Sequence, residues 1–569
     1  GSSHLGSICH QVASPSCSGR SCVGTSSFRS STMGSTISAT CYHSQSSNRS
    51  RSSRRSRSSQ SLNWQQQSGN HYPTHRDTDS SLDFSAFADD DSIAQAAHAG
   101  APSQAQPEPE VSGRGPLSID ARVEYKALPR GRAQDIFGIV TLQADASTPV
   151  QATAELRQPL DLICVLDVSG SMRGEKLRLV QDAVRFVVRE SQPQDRLSIV
   201  TFNHSSDRAL KLRRMDNDGK DAANVATLQL CAGGGTCIAS GLETALEVAE
   251  RRRHRNPVSA ILLLTDGRDG SSGQSLMRLV SRSQRAGCSL YAFGFGADHD
   301  SRLLSEVAEQ AKTPFTFVED VDKISAAFAG AIGGLSSVTA QRVEVVLDCS
   351  VALKKVHTHF DHSAEGGRAV VQIPDMLAGE RRDVLVELSI LEQGTVREEE
   401  ETLLLKASAK YWNLAAGATV QTPAVEMRLR NLPEGEPQPE LEPDVEVAAQ
   451  RHRVEVAQTL QAAAAQGDEG RFEDAQAMLA AHERRLRTAS SLTPVAENLA
   501  LELEDARNRM RSQLSWEQGG GAELRDAMQM HRMQRATNVS TSMKCTTKKC
   551  SKAMYATKLQ SSWISRAGF

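Results

Sequence analysis

At 569 residues, with 39% hydrophobic and 4% aromatic residues and a formal net charge of -3, the chain is too long for one core. Its near-neutral balance gives no argument for a nucleic-acid or membrane partner, and no apolar stretch approaches the roughly 20 residues of a membrane helix. The eleven cysteines are scattered, which predicts reduced thiols and an intracellular, cytoplasmic protein. With no initiating Met and no signal-peptide core, the sequence reads as a fragment.

Residues 1–115 are rich in Ser, Gly, Arg, Gln and Pro and poor in aliphatics, so they are predicted to be disordered. The Arg/Ser run at 48–60 reads as a solvated spacer more readily than as a phosphorylation-switched or nucleic-acid-touching tail. Cys9, Cys17, Cys22 and Cys41 lack the paired spacing of a zinc site. Residues 116–157 hold two alternating strands, 119–125 and 136–142, with Pro129, Arg130 and Gly131 as the turn. Two strands are not a stable domain, so they should pair with strands further on.

Residues 158–335 alternate strands (160–166, 197–202, 260–264, 290–295, 315–318) with amphipathic helices (177–189, 238–251, 276–284, 303–310, 324–332). On the first helix Leu177, Val180, Val184, Val187 and Val188 share one face. The alternation predicts an α/β domain: a doubly wound, mostly parallel sheet with helices on both sides. Residues 336–432 change character, with alternating strands at 341–347, 351–356, 369–373, 382–391, 395–406 and 422–429. That is an antiparallel β-sandwich, which the two early strands would complete, so that the α/β domain is inserted in it.

Residues 433–443 form an acidic, Pro-rich linker. Residues 444–514 read as three helices, 445–466, 471–487 and 494–514, with Thr493 as N-cap and Pro494 in the first turn of the third. The stripe Leu499, Leu503, Ala506, Met510 and Leu514 is read as core packing. Residues 515–569 are Ser/Thr/Lys-rich and predicted mostly disordered, with Cys545 and Cys550 as plain thiols.

One constellation carries chemistry. The apolar strand 160–166 ends in Asp167, and Ser169 and Ser171 follow at alternate positions around Gly170. The Gly-rich loop 232–237 presents Thr236 just before a helix, and the strand 260–264 leads into Asp266 and Gly267. All three segments are strand-to-helix loops of one parallel sheet and should converge on its carboxyl-end crest. Two carboxylates and three hydroxyls, without Cys or His, suit Mg2+, Mn2+ or Ca2+ rather than zinc. With hydroxyls bonded directly and an Asp acting through water, the ion keeps an open position for a partner's acidic side chain.

Neighbouring polar residues take simpler readings. Asp298 and Asp300 precede a helix and read as N-caps, and Cys231 and Cys237 as small packed residues. The cationic run at 251–255 is explained by solvation and the helix dipole. His204 has no nucleophile partner in readable spacing.

The run DVSGSM at 167–172, with Thr236 and TDG at 265–267, resembles the metal-ion-dependent adhesion site of a von Willebrand factor type A domain. The resemblance covers 158–335 and implies that Asp167, Ser169, Ser171, Thr236 and Asp266 hold a divalent ion. DRLSIVTF at 195–202, RRM at 213–215, FGFGADHD at 293–300 and QRAT at 534–537 are similar to the plant and protist branch. That branch contains ubiquitin ligases with a RING finger ahead of the type A domain, whereas no such finger precedes it here, and Cys237 stands where many of them carry Asn. The inter-α-trypsin inhibitor heavy chains share the general pattern but are secreted.

Three functions follow. The first is non-enzymatic protein recognition, in which the metal captures a partner's Asp or Glu. The second is a ubiquitin-ligase subunit whose RING is absent or supplied in trans. The third, hydrolysis at the metal, lacks any readable general base.

Overall fold

The computed structural model describes residues 90–93, 110–111, 115–129, 133–146, 157–269, 273–296, 299–319, 323–390, 401–432, 442–488, 493–536 and 554–567. All belong to one unit, Ser80–Phe569. The Arg/Ser run, the four N-terminal cysteines, Cys545 and Cys550 lie outside the described residues.

Before the α/β segment come β1 (Glu110–Val111), β2 (Leu117–Val123), β3 (Ala127–Pro129) and β4 (Gln134–Ala144). The segment itself runs β5 (Leu160–Asp167), α1 (Glu175–Glu190), β6 (Arg196–Phe202), β7 (Ser206–Arg214), α2 (Asn217–Leu228), α3 (Ile238–Arg251) and β8 (Val258–Thr265). It ends with α4 (Gly273–Arg285), β9 (Ser289–Phe295), α5 (Ser301–Ala311), β10 (Phe315–Val318) and α6 (Ile324–Leu335). The strand order is β10-β9-β8-β5-β6-β7, all parallel except β7. Every residue of β5 and β8 is buried, as expected of central strands covered on both faces. Leu160, Leu162, Cys164 and Leu166 pack with Val180 and Val184 of α1 and Phe328 of α6. Ile163 and Val165 pack the other way, with Leu242 of α3, Val280 of α4 and Leu304 of α5.

Within the α/β segment, one strand and one α-helix escaped the sequence reading. β7, SDRALKLRR, is an antiparallel edge strand in which only Leu210 and Leu212 are buried, so its alternation is weak. α2 is weakly amphipathic and starts because Asp216 accepts the Gly219 N–H at 3.0 Å.

At the amino end of the sheet, Asp161 interrupts the apolar run. It takes a bidentate pair from Arg196 at 2.8 and 2.7 Å, the Asn256 amide at 2.9 Å and the Arg252 guanidinium at 3.1 Å, all of them buried. The run at 251–255 is therefore not simply solvated: Arg252 turns inward because a buried carboxylate needs a counter-charge.

The sandwich continues with β11 (Val338–Cys349), β12 (Ala352–His357), β13 (Asp361–Glu365), β14 (Arg368–Leu377), β15 (Arg381–Ile390), β16 (Glu401–Asn413), β17 (Ala418–Gln421) and β18 (Val425–Leu432). One sheet runs β1-β17-β16-β11-β14-β13 with β18 and β3 attached, and the other β12-β15-β4-β2. β4 pairs with β15 in register Val140↔Val384, so the α/β segment lies in sequence between two strands of one sheet. Val140 and Leu142 share an apolar core with Val343, Val345 and Leu405 of the facing sheet.

Three helices follow: α7 (Val445–Asp468), α8 (Phe472–Thr488) and α9 (Pro494–Arg509), the last capped by Thr493 with Pro494 in its first turn. Leu499, Leu503, Ala506 and Met510 are buried, but Leu514 is exposed because the helix stops at Met510.

The expectation of a mostly disordered 515–569 is overturned for its described parts. Helix Gly521–Met533 packs against α7, α5 and β10, and helix Lys558–Arg566 packs on α6, with Trp563 edge-on to Phe186 at 6.5 Å. Composition hid this because much of the buried surface is polar and paired. Arg525 holds Asp468 through two bonds of 2.6 Å, and His531 lies 2.8 Å from Glu502. Arg535 bonds Glu380 at 2.7 and 2.8 Å and Asp375 at 2.7 Å.

Candidate metal centre

The carboxyl end of β5 places Asp167 fully buried at the start of a tight turn. Its Oδ1 accepts the Ser169 N–H at 2.8 Å, and its Oδ2 accepts the Thr265 hydroxyl at 2.6 Å. Burial pushes this carboxyl up from the usual carboxylate range, with Asp266 adding to the effect and the bonds from Thr265 and Ser169 opposing it. The Ser169 and Ser171 hydroxyls lie 3.0 Å apart, and Ser171 Oγ donates to Asp266 Oδ1 at 2.8 Å. Lys176, in the first turn of α1, donates to Asp266 Oδ2 at 2.5 Å.

The Gly-rich loop is stitched to this turn by its backbone. Gly170 N–H donates to Gly234 O at 3.0 Å, Gly233 N–H to Val168 O at 2.8 Å, and the Asn203 amide to Gly233 O at 3.0 Å. Gly234 sits at φ +86°, and a Cβ there would come within 2.8 Å of His204 Nδ1. Thr236 is brought in against Gly267: a Cβ on Gly267 would lie 2.9 Å from Thr236 Oγ1 and 3.4 Å from Asp167 Oδ2. A side chain at position 267 would press on the Thr236 hydroxyl.

All five residues singled out from the sequence therefore gather at one crest. Asp167, Ser169 and Asp266 are buried, Ser171 is exposed and Thr236 half-buried, so the cluster opens to solvent through its hydroxyls. The donor chemistry fits a hard divalent ion, and the Lys176 ammonium already stands against Asp266 as a counter-cation. Asn203 and Lys176 are supporting residues that the sequence reading missed, and Thr265, quoted there as part of the TDG run, has the added role of holding Asp167. A Thr directly before the crest Asp and a Lys in the first turn of the next helix were the available signals. Arg173 and Arg268, each just past a crest loop, are exposed beside the site.

Asp300 caps α5, accepting the Leu303 N–H at 3.0 Å, while Asp298 lies outside the described residues. Cys231 is exposed rather than packed, because it sits on the solvent side of the Gly-rich loop.

This fold and crest define a von Willebrand factor type A domain, and the model of that family matches residues 161–329. Such domains commonly carry a divalent-metal site used in protein binding. Over 246 residues, 41% of this chain, the sequence is 33% identical to the E3 ubiquitin-protein ligase WAV3 of Arabidopsis thaliana, covering 31% of that protein. It is 26% identical over 293 residues to the probable E3 ubiquitin-protein ligase WAVH2 of the same plant, 48% of this chain and 40% of the relative. The matches thus span well under half the length of these relatives. A solved von Willebrand factor type A protein from Catenulispora acidiphila shares the fold over 70% of this chain and 90% of its own, with a TM-score of 0.54 and 16% identity. No described helix is long and apolar enough to cross a membrane.

Proposed function

We propose that the crest binds a divalent ion, Mg2+ by the hardness of its donors, and uses it to capture an Asp or Glu of a protein partner, without chemical turnover. The observation that carries this reading is the approach of both Thr236 Oγ1 and Asp167 Oδ2 to Gly267, with Ser171 joined to Asp266 on the solvent side. Asp167, whose two oxygens are both engaged by protein donors, would act on the ion through water. Ser169, Ser171 and Thr236 would bind it directly, and Asp266 would share its charge with Lys176. The ion would supply an electrophile for the guest carboxylate, and the exposed Arg173 and Arg268 favour an acidic approach.

Titration of the whole chain with Mn2+, followed by electron paramagnetic resonance, should give one site that Asp167→Ala and Asp266→Ala both remove. Partner recovery should require Mg2+ and fail in EDTA and with Asp167→Ala; equal recovery in every condition rejects the proposal.

The relatives' names favour a second reading, in which the type A domain recruits substrate to a ubiquitin ligase whose RING lies elsewhere in a longer protein or in another chain. The present chain alone should then form no ubiquitin conjugates with E1 and E2, and should gain them when a RING-bearing chain is added.

A further inference from the structure

β7 is the last strand of the α/β sheet, and its outer edge is not bare. Asp91 N–H donates to Leu212 O at 2.9 Å, while the Asp90 carboxylate accepts the Leu212 N–H at 3.0 Å and the Asp91 carboxylate accepts the Arg214 N–H at 3.0 Å. Edge donors at alternate residues are thus satisfied by side-chain carboxylates in place of a neighbouring strand's carbonyls. The short reach of Asp suits this arrangement. Charge reinforces it. Arg208 Nη1 lies 2.9 Å from Asp90 Oδ1, Arg213 Nε lies 3.8 Å from Asp91 Oδ2, and Arg196 Nη1 donates to the Asp91 carbonyl at 2.8 Å. β7 carries four basic residues, Arg208, Lys211, Arg213 and Arg214, against one acid, Asp207.

We propose that the outer edge of β7 is a docking groove for an Asp-Asp segment of a partner protein, which enters by displacing this chain's own Asp90 and Asp91. A strand edge vacated by its own chain is a template for another, and a segment added there gains affinity through the backbone and specificity through side chains. The specificity here is for two adjacent short acids. The groove uses no residue of the metal centre and needs no ion.

The test uses the full chain and a fluorescein-labelled peptide of residues 86–95, AFADDDSIAQ. The double substitution Asp90→Arg, Asp91→Arg should speed amide exchange at Leu212 and Arg214 at least tenfold. The same variant should bind the peptide at least tenfold more tightly than the unaltered chain, equally well in Mg2+ and in EDTA, and more weakly as salt rises. Adding Arg208→Glu and Arg213→Glu should abolish that binding. Should charge reversal disturb folding, Asp90→Asn with Asp91→Asn gives the same comparison with a smaller change. Unaltered exchange at β7 in a folded variant, or equal peptide affinity with and without the acids, overturns the proposal.

Discussion

Asp266 has its two oxygens engaged from opposite sides, by the Ser171 hydroxyl and by the Lys176 ammonium. A cation already in place must share the carboxylate with any incoming ion, so Lys176 would lower the proposed site's affinity for metal. Lys176→Met is expected to tighten Mg2+ binding by about tenfold in isothermal titration calorimetry, equivalent to roughly 1.4 kcal/mol. Weaker binding in that variant would mean that the lysine helps to build the site. The five oxygen-bearing residues could be singled out in the sequence because Asp167 and Asp266 follow long apolar runs and Ser169, Ser171, Thr236 and Asp266 each adjoin a glycine; the Gly-rich loop itself proves to join α2 to α3 rather than a strand to a helix. Lys176 was not legible, because a lysine in a first helical turn is an ordinary residue until the fold places it, and Thr265 stood out only as part of the TDG run and not as the partner of Asp167. Arg252 was misread for a related reason: nothing in a run of arginines tells which one faces Asp161.

At the scale of elements, the helix Gly521–Met533 is fixed to the sandwich by the residues that follow it. Gln534, at φ 49°, exchanges bonds of 2.8 and 2.9 Å with the backbone of Asp383, and Arg535 fills a buried pocket between Glu380 and Asp375. Arg382, also buried, shares Glu380 at 2.7 Å. Arg535→Ala leaves carboxylates buried without their partner and is expected to destabilise the chain by about 3–5 kcal/mol, read as a lower urea midpoint. A shift below 1 kcal/mol would show that the cluster relaxes into water.

His299 gives the same region a pH response. It is 6% exposed, stacks on Phe317 at 5.4 Å, and desolvation lowers its pKa to about 4. His359 is lowered by burial to about 3. The unfolded chain takes up these protons near pH 6.5 while the folded chain resists until about pH 4, so stability is present at neutral pH and drains away across that window. For His299 alone the loss is of order 3 kcal/mol at most. Urea midpoints should fall from pH 7 to pH 4.5, and His299→Asn should flatten that fall; an unchanged slope would assign the acid sensitivity elsewhere. Amphipathic helices such as α1 were legible from periodicity, whereas β7 and Gly521–Met533 were not, since edge exposure and buried ion pairs both erase the apolar pattern.

Across the whole molecule, the α/β segment, the sandwich and the helical part share more surface than their sequence boundaries suggest. Trp563 lies against α1 and α6, and Met533 joins the sandwich core. Ending the chain after residue 514 would strip these contacts and bare the apolar faces of α6 and β10. Such a truncation is expected to aggregate or melt earlier in scanning calorimetry; a soluble product with an unshifted transition would show the last helices to be dispensable.

The pairing of β4 with β15 has a consequence for biogenesis. Thr141 Oγ1 donates at 2.6 Å to an Asp383 that is translated 242 residues later, so the first part of the sheet emerges from the ribosome long before the rest. The intervening α/β segment has its local β-α units to hand and can build its sheet in that interval, although α6 and β10 stay uncovered until the last helices arrive. Nascent chains would thus pass through a stage in which an inner domain with one bare apolar face hangs from a half-built outer one, and it is there that chaperones would find their work.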